Sequence, residues 1–145
     1  VRDGSVALNR LGVIVEECWM AIPVHVPDVE LDAFIVMPNH MHGIIVIQQP
    51  SDVGAQHAAP LPQEDDNSPR VVRPRSLSAI VRSFKSAASR EINALRGTPA
   101  APVWQRNYYE RIIRNEREMH AIRGYIMNNP YRWSDDPENL GNWSG

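Results

Sequence analysis

Two histidines separated by one residue give this chain its clearest opportunity for metal chemistry. His40 and His42 lie in the run MPNHMHGIIVI, residues 37–47. Side chains on a β-strand alternate between its faces, so a strand here would project both imidazoles from one face, toward one metal ion. For an isolated H-x-H the common alternative is a pair of surface histidines on a half-exposed strand.

The residues around the motif predict a β-hairpin over residues 31–47. Apolar, β-branched runs lie on both sides of Pro38 and Asn39, so the histidines begin the second strand. Upstream, residues 6–22 repeat apolar side chains at helical spacing, Pro23 is expected to end that helix, and a connector follows over residues 24–29.

The second half predicts two helices and a strand. Ser76 is positioned to cap a helix to about Leu95. Its inward residues would be Leu77, Ile80, Val81, Phe84, Ala88, Ile92 and Leu95. Residues 103–113 are expected to form a strand, and Asn115 to cap a helix over residues 116–128 that Pro130 ends. The Gln-, Pro-, Asp- and Ser-rich residues 48–75 are expected to be a flexible loop, and a polar tail begins at about residue 131.

Length and composition indicate one domain with a hydrophobic core. The chain has 145 residues, of which 43% are hydrophobic. No apolar run approaches the roughly 20 residues of a membrane span, and the first residues have no signal-peptide character, so we expect a cytoplasmic protein. Cys18 is the only cysteine, which excludes an internal disulfide and a thiolate zinc cluster, and we interpret it as a core residue.

Charge is divided unevenly along the chain, although the net charge is only −2. Thirteen of the 15 Lys and Arg residues lie within residues 70–132, with four Glu, so this segment carries +9. Residues 1–69 carry −8. Arginines interleaved with Trp104, Tyr108 and Tyr109 are typical of a surface that binds phosphates and stacks on bases, although solvated helix faces have the same composition.

The order helix, strand, strand, helix, strand, helix predicts an α+β, ferredoxin-like βαββαβ sandwich without its first strand. The chain also resembles the single-tyrosine HUH transposases, insertion-sequence-200-like, and in particular the REP-associated tyrosine transposases. The resemblance covers nearly the whole chain. Its segments are LDAFIVMPNHMHG (31–43), FKS (84–86), VWQRNYYE (103–110), IRN (113–115) and YIMNNP (125–130).

The resemblance assigns roles to four residues. In that family the two histidines bind a divalent metal, a tyrosine on the last helix is the nucleophile, and a polar residue four positions later completes the metal site. It therefore implies metal binding by His40, His42 and Asn129, and catalysis by Tyr125. Residues at i and i+4 share a helix face, so Tyr125 and Asn129 can reach one site. The metal would be Mg²⁺ or Mn²⁺.

Other readings of the aromatic and histidine residues remain open from the residues alone. Tyr125 on an amphipathic helix would commonly be a core residue, whereas the resemblance favours the nucleophile. Tyr108 and Tyr109 compete for that role, but a strand position favours packing or base stacking. His120 is interpreted as a surface residue.

The resemblance implies a nickase or transposase that cleaves and rejoins single-stranded or hairpin DNA through a 5′-phosphotyrosine. The expected phosphate contacts are Arg82, Lys85, Arg106, Arg111 and Arg114.

Because a central strand is missing from the pattern, we expect a truncated product or exchange of elements between subunits, and a homodimer in either case. A relative that binds hairpins without cleaving them is the main alternative, and a hydrolase using water is a third. The protein would act in the cytoplasm, at the nucleoid.

Overall fold

The described part of the molecule is an α+β unit in which helices cover both faces of a β-hairpin. The computed structural model describes residues 5–48 and 76–135. Its elements are α1 (Arg10–Met20), α2 (Ile22–His25), β1 (Val29–Val36), β2 (Met41–Ile47), α3 (Leu77–Arg96), α4 (Glu116–Arg132) and a 3₁₀ turn (Trp133–Asp135). Within the described ranges, β1 and β2 form one two-stranded antiparallel sheet.

The hairpin confirms the prediction for residues 31–47 and begins two residues earlier. Val29 pairs with Ile47, and Val36 pairs with Met41. The turn between the strands is closed by the Met37 amide, which donates to the His40 carbonyl at 2.8 Å. Proline has no amide hydrogen and a fixed φ, so it fits this turn and would not fit a paired strand position.

A β-bulge in β1 changes which side chains face each layer. Leu31 pairs with Ile45 and Phe34 pairs with Gly43, so β1 advances three residues while β2 advances two. The extra residue brings Leu31 and Phe34 to the same face and leaves Asp32 within the bulge. Phe34 packs against Trp19 of α1, with ring centroids 6.2 Å apart.

The main core lies between the hairpin and the pair α1 and α3. Trp19 packs edge-on against Phe84 of α3 at 5.3 Å between centroids. The buried members of this core are Val15, Trp19, Ile22, Val29, Val36, Ile80, Phe84, Ala88 and Ile92. Burial of that many apolar side chains is the dominant stabilising contribution expected for the fold.

Helix α3 agrees closely with its prediction. The Ser76 hydroxyl accepts from the Ala79 amide at 3.2 Å, which is the expected N-cap. Gly97 ends the helix with φ of 66°, a left-handed conformation that glycine adopts without steric cost. The inward position predicted for Leu95 is wrong, because its side chain is 40% exposed at the end of the helix, beyond the residues that pack on α1.

The predicted helix over residues 6–22 is divided in the structure. Asn9 caps α1 by accepting from the Gly12 amide at 2.9 Å, and α1 ends at Met20. Pro23 does not end a helix but lies in the first turn of α2, where its missing amide hydrogen breaks no helical bond. The expected connector is correspondingly shorter, since α2 extends to His25 and β1 starts at Val29. Cys18 is partly buried against the core.

The strand predicted for residues 103–113 is wrong. These residues have no regular secondary structure, and the Trp104 indole donates to the Lys85 carbonyl of α3 at 3.1 Å. Asn107 has φ of 66°, which interrupts an extended conformation. A strand also needs a partner edge, and this segment pairs with neither outer edge of the hairpin. The segment therefore packs on α3 at its start and is exposed thereafter.

Helix α4 begins as predicted and ends later. The Asn115 side chain accepts from the Glu118 amide at 2.8 Å. The prediction that Pro130 ends the helix is wrong, since α4 continues to Arg132. A proline inside a helix costs about 3 kcal/mol. Burial of Pro130 together with Ile126 and Asn129 offsets that cost.

The predicted loop and the predicted polar tail lie largely outside the residues that the structure describes. The loop expected over residues 48–75 lies outside them except for Gln48, and the polar tail lies outside them beyond Asp135. Residues 131–135 are helical rather than a tail. In the two described ranges, no helix combines the length and the apolar character needed to cross a bilayer.

Candidate active site

The candidate site lies on the face of the hairpin opposite the main core. A Cβ added to Gly43 would lie 2.3 Å from Trp19, so position 43 faces α1. Adjacent strand residues face opposite sides, and the His42 ring accordingly contacts Tyr125 of α4, with centroids 5.3 Å apart. The hairpin therefore separates the α1–α3 core from the site under α4.

All four residues that the resemblance singled out converge at this point. The rings of His40 and His42 lie 5.0 Å apart, centroid to centroid. His40 Nε2 lies 3.2 Å from Asn129 Oδ1. Tyr125 lies one helical turn before Asn129 and contacts His42. Three potential metal ligands and a phenol thus share one surface.

An ion pair fixes α4 on the sheet beside the site. The Arg123 guanidinium donates twice to the Asp32 carboxylate, at 2.7 and 2.6 Å. This bidentate contact joins the bulge of β1 to the turn of α4 that precedes Tyr125. The Arg123 hydrogen bond lowers the pKa of Asp32 to about 2, so the carboxylate stays ionised at neutral pH.

The contacts of His40 fit a cation held between it and α4. The Asn39 side-chain oxygen lies 2.6 Å from His40 Nδ1, and an amide oxygen only accepts, so Nδ1 carries a proton. If Nδ1 holds the only ring proton, Nε2 has a lone pair and lies 3.2 Å from Asn129 Oδ1. Neighbouring ligands in an octahedral shell with bonds of about 2.1 Å lie about 3 Å apart. Two such acceptors at this distance match a shared divalent cation.

The second histidine is held in the form that binds metals. Burial lowers the pKa of His42, and the neighbouring His40 lowers it further. Neutral imidazole is the ligand form, so His42 is ready to bind a cation at neutral pH. Within residues 5–48 and 76–135, no three His, Cys, Asp or Glu side chains gather as a metal cluster. The Asn129 amide oxygen beside His40 could serve as a third donor.

The two α4 side chains differ in their access to solvent. Tyr125 is 47% exposed, whereas Asn129 is 8% exposed. Ile126, between them in sequence, is buried and supplies the apolar contact of the helix. The phenol is therefore open to a large substrate while the amide is held in place. His120 is exposed, as expected.

The basic residues predicted to bind DNA are divided between two regions. Arg82 is exposed on α3, which packs on the core face of the hairpin, away from Tyr125. The Lys85 ammonium donates to the Gln105 carbonyl at 3.4 Å and lies 5.8 Å from the centre of the Trp104 ring. The other three, Arg106, Arg111 and Arg114, are exposed in the irregular segment before α4.

Sequence reasoning missed the side chains that orient the site. The Asn39 side chain hydrogen-bonds to the His40 ring. Its position in the turn directly before His40 is the sequence signal that could have indicated this contact. Trp133, in the 3₁₀ turn after α4, lies 6.3 Å from His40 between ring centroids. The Asp32–Arg123 pair spans 91 residues, and no local pattern signals it.

One curated relative places the chain in a family. A protein of Haemophilus influenzae, described as uncharacterized, is 41% identical over 130 residues, which is 89% of this chain and 69% of that protein. The chain belongs to the same family as that protein. No family model matches the chain, and no solved structure matches it.

Proposed function

We propose that the protein is a metal-dependent DNA strand transferase of the single-tyrosine HUH type. One observation carries the proposal: His40, His42, Tyr125 and Asn129, from a hairpin and a helix far apart in sequence, converge on one surface. We further propose that the hairpin and helices belong to a ferredoxin-like sandwich.

His40, His42 and Asn129 would hold the metal, as Mg²⁺ or Mn²⁺. Two imidazoles with one amide oxygen leave room for water and phosphate oxygens in an octahedral shell. A bound divalent cation would polarise a phosphoryl oxygen and neutralise the charge that accumulates during displacement. The buried position of Asn129 and the contact of Asn39 with His40 reduce the rearrangement needed for binding.

Tyr125 is the proposed nucleophile. Its phenolic oxygen loses its proton and forms a bond to phosphorus, the bond from phosphorus to the 3′-oxygen breaks, and the released 3′-oxygen takes up a proton to become a hydroxyl. The product is a 5′-phosphotyrosine. Because one phosphodiester replaces another, a 3′-hydroxyl can reverse the step without an external energy source. The exposure of Tyr125 gives a DNA backbone access to it.

A hydrolase that activates water has less support. A general base must reach the attacking water, and the candidate carboxylates, Asp32 and Glu30, lie too far along β1. Glu30 pairs with Val46, whereas His42 pairs with Ile35. Asp32 also binds Arg123, and Glu30 accepts from the Gln48 side chain at 2.5 Å.

The substrate is proposed to be single-stranded DNA or a hairpin with unpaired flanks, at the nucleoid. Tyrosine attack needs an accessible backbone, and the exposed arginines before α4 supply positive charge for phosphates. We propose a homodimer. Light scattering at micromolar concentration checks this, and a monomer alone would contradict it.

Covalent trapping tests the proposal. The protein is incubated with Mn²⁺ and labelled single-stranded hairpin oligonucleotides, and the products are separated on a denaturing gel. We expect a protein–DNA band that disappears in Tyr125→Phe and persists in Tyr131→Phe, a matched change at an exposed tyrosine of the same helix. Retarded DNA on a native gel without the covalent band would instead identify a binding-only relative.

A further inference from the structure

The connector between α3 and α4, residues 101–115, exposes apolar side chains that the proposed chemistry does not use. Tyr109 is 90% exposed and Ile112 is 77% exposed. Isolated exposed apolar residues need no explanation, but here two bulky ones lie within four positions of the sequence. Both lie where the chain has no regular secondary structure.

Both ends of the connector are anchored. At the start, the Asn93 side chain donates to the Ala101 carbonyl at 2.9 Å, and the Trp104 ring packs against Phe84 at 5.4 Å between centroids. At the end, the Arg114 amide donates to the Glu118 carboxylate at 3.1 Å. The exposed residues therefore lie on a tethered segment rather than on a free tail.

The residues near Tyr109 in sequence carry more positive than negative charge, with three arginines against one glutamate in the connector. Glu110, the one acidic residue of the connector, hydrogen-bonds to the Tyr108 side chain and contributes, after burial, to the raised pKa of Tyr108. Arg111 lies 3.7 Å from Glu118. Across residues 5–48 and 76–135, the guanidinium groups of Arg106 and Arg114 have no ion-pair partner. Tyr109 thus lies three and five residues in sequence from two arginines, Arg106 and Arg114, whose guanidinium groups are available to an anion.

We infer that Tyr109 is a stacking platform for an unpaired base of the nucleic-acid substrate, with Arg106 and Arg114 contacting the adjacent phosphates. The inference rests on the proposed function, because it assigns a contact to the same substrate. Exposed aromatic rings among arginines are the general means of binding single strands without sequence preference. A protein partner would need to satisfy the same cations with acidic groups, and a second copy of the connector would bring like charges together.

The position of Tyr109 relative to the nucleophile sets where its base must lie. The connector ends at Asn115, and Tyr125 follows ten residues later on α4. At 1.5 Å per residue this is about 15 Å along the helix. Stacked nucleotides rise about 3.4 Å each, so the helix alone accounts for roughly four nucleotides between the end of the connector and the attacked phosphate.

Binding measurements on non-cleaving protein test the inference. With Tyr125→Phe as the parent, the affinity for a fluorescent hairpin with an unpaired flank is measured by anisotropy. We expect Tyr109→Ala to weaken binding about 5- to 100-fold, and Tyr109→Phe to restore it because stacking uses the ring face. Val24→Ala, at an exposed apolar residue of α2, is the control and should leave affinity unchanged.

Substrates with single abasic positions along the flank locate the base. Removing the base at one position should weaken binding to the parent protein. The same abasic substrate should cause no further loss of affinity with Tyr109→Ala, because the base and the ring form one contact.

Equal affinity of Tyr109→Ala and the parent overturns the inference while leaving the proposed function intact. An equal loss in Tyr109→Phe, or a change of oligomeric state in Tyr109→Ala, also overturns it. A Tyr109-dependent affinity without any covalent product from the wild type supports the platform and rejects the transferase. A parent that binds no oligonucleotide contradicts both.

Discussion

Replacement of Gly43 by alanine tests the close packing of β2 against Trp19, on the face of the hairpin opposite the candidate site. The added Cβ would lie 2.3 Å from Trp19 Cζ2 and 2.8 Å from Cη2. Carbon atoms pack at about 3.5–4.0 Å, so the indole or the strand must move by more than about 1 Å. Trp19 is 5% exposed and lies against Phe34 and Phe84, so little space is available.

The expected cost follows from two opposing contributions. Overpacking of a well-filled core costs about 1–3 kcal/mol. Removing a glycine from a strand interior returns about 0.5–1 kcal/mol of backbone entropy. Because an approach of 2.3 Å requires a large displacement, the upper part of the overpacking range applies. The net loss should be about 1–2.5 kcal/mol in the free energy of unfolding, or roughly 3–10 °C in Tm for a domain of this size. Because Gly43 follows His42, the same movement should weaken Mn²⁺ binding.

Urea unfolding followed by circular dichroism measures the effect against two controls. Gly124→Ala adds a Cβ that meets nothing within 4 Å in the interior of α4, and it should stabilise the protein by up to about 1 kcal/mol. In a Trp19→Phe background, which removes the clashing ring atoms, Gly43→Ala should cost at least about 0.5 kcal/mol less. Wild-type stability for Gly43→Ala, or an equal cost in both backgrounds, would refute the packing argument.

Three further outcomes follow from the contacts described. The native pKa of Asp32, about 2, lies below its unfolded value of 3.8, so the carboxylate stabilises the fold above about pH 4 and this contribution is lost as the pH falls toward 2. Urea titrations should therefore show Asp32→Asn less stable than wild type at pH 6, with a smaller difference at pH 2. Burial raises the pKa of the Cys18 thiol, so Ellman's reagent at pH 8 should modify it more slowly than a small free thiol, and equal rates would contradict that reasoning. Asn129→Ala should weaken Mn²⁺ binding at least about tenfold by calorimetry, since one donor is lost, and unchanged affinity would remove Asn129 from the metal site.

Local patterns predicted the parts of the fold that depend on local physics. The hairpin followed from β-branched runs around a Pro-Asn turn, and the starts of α3 and α4 followed from Ser76 and Asn115 as N-caps. Caps satisfy backbone amides within three residues, so the sequence contains the whole interaction.

Expectations failed where a distant partner decides the structure. Residues 103–113 have the composition of a strand, but strand formation needs an edge to pair with, and Trp104 binds α3 instead. Pro130 was expected to end α4, and only its tertiary burial explains why the helix continues. The convergence of His40 with Asn129 spans 89 residues, so the resemblance predicted it and periodicity did not.

The measurement that tests the central claim most directly is the identity of the residue that carries DNA after reaction. Wild-type protein is reacted with the hairpin substrate and Mn²⁺, the DNA is digested with nuclease, and peptides are mapped by mass spectrometry across the four tyrosines of the chain. The account predicts a 5′-linked nucleotide on Tyr125 and on no other tyrosine, and none in His42→Ala. An adduct on Tyr108, Tyr109 or Tyr131, or cleaved DNA with no adduct, would contradict it.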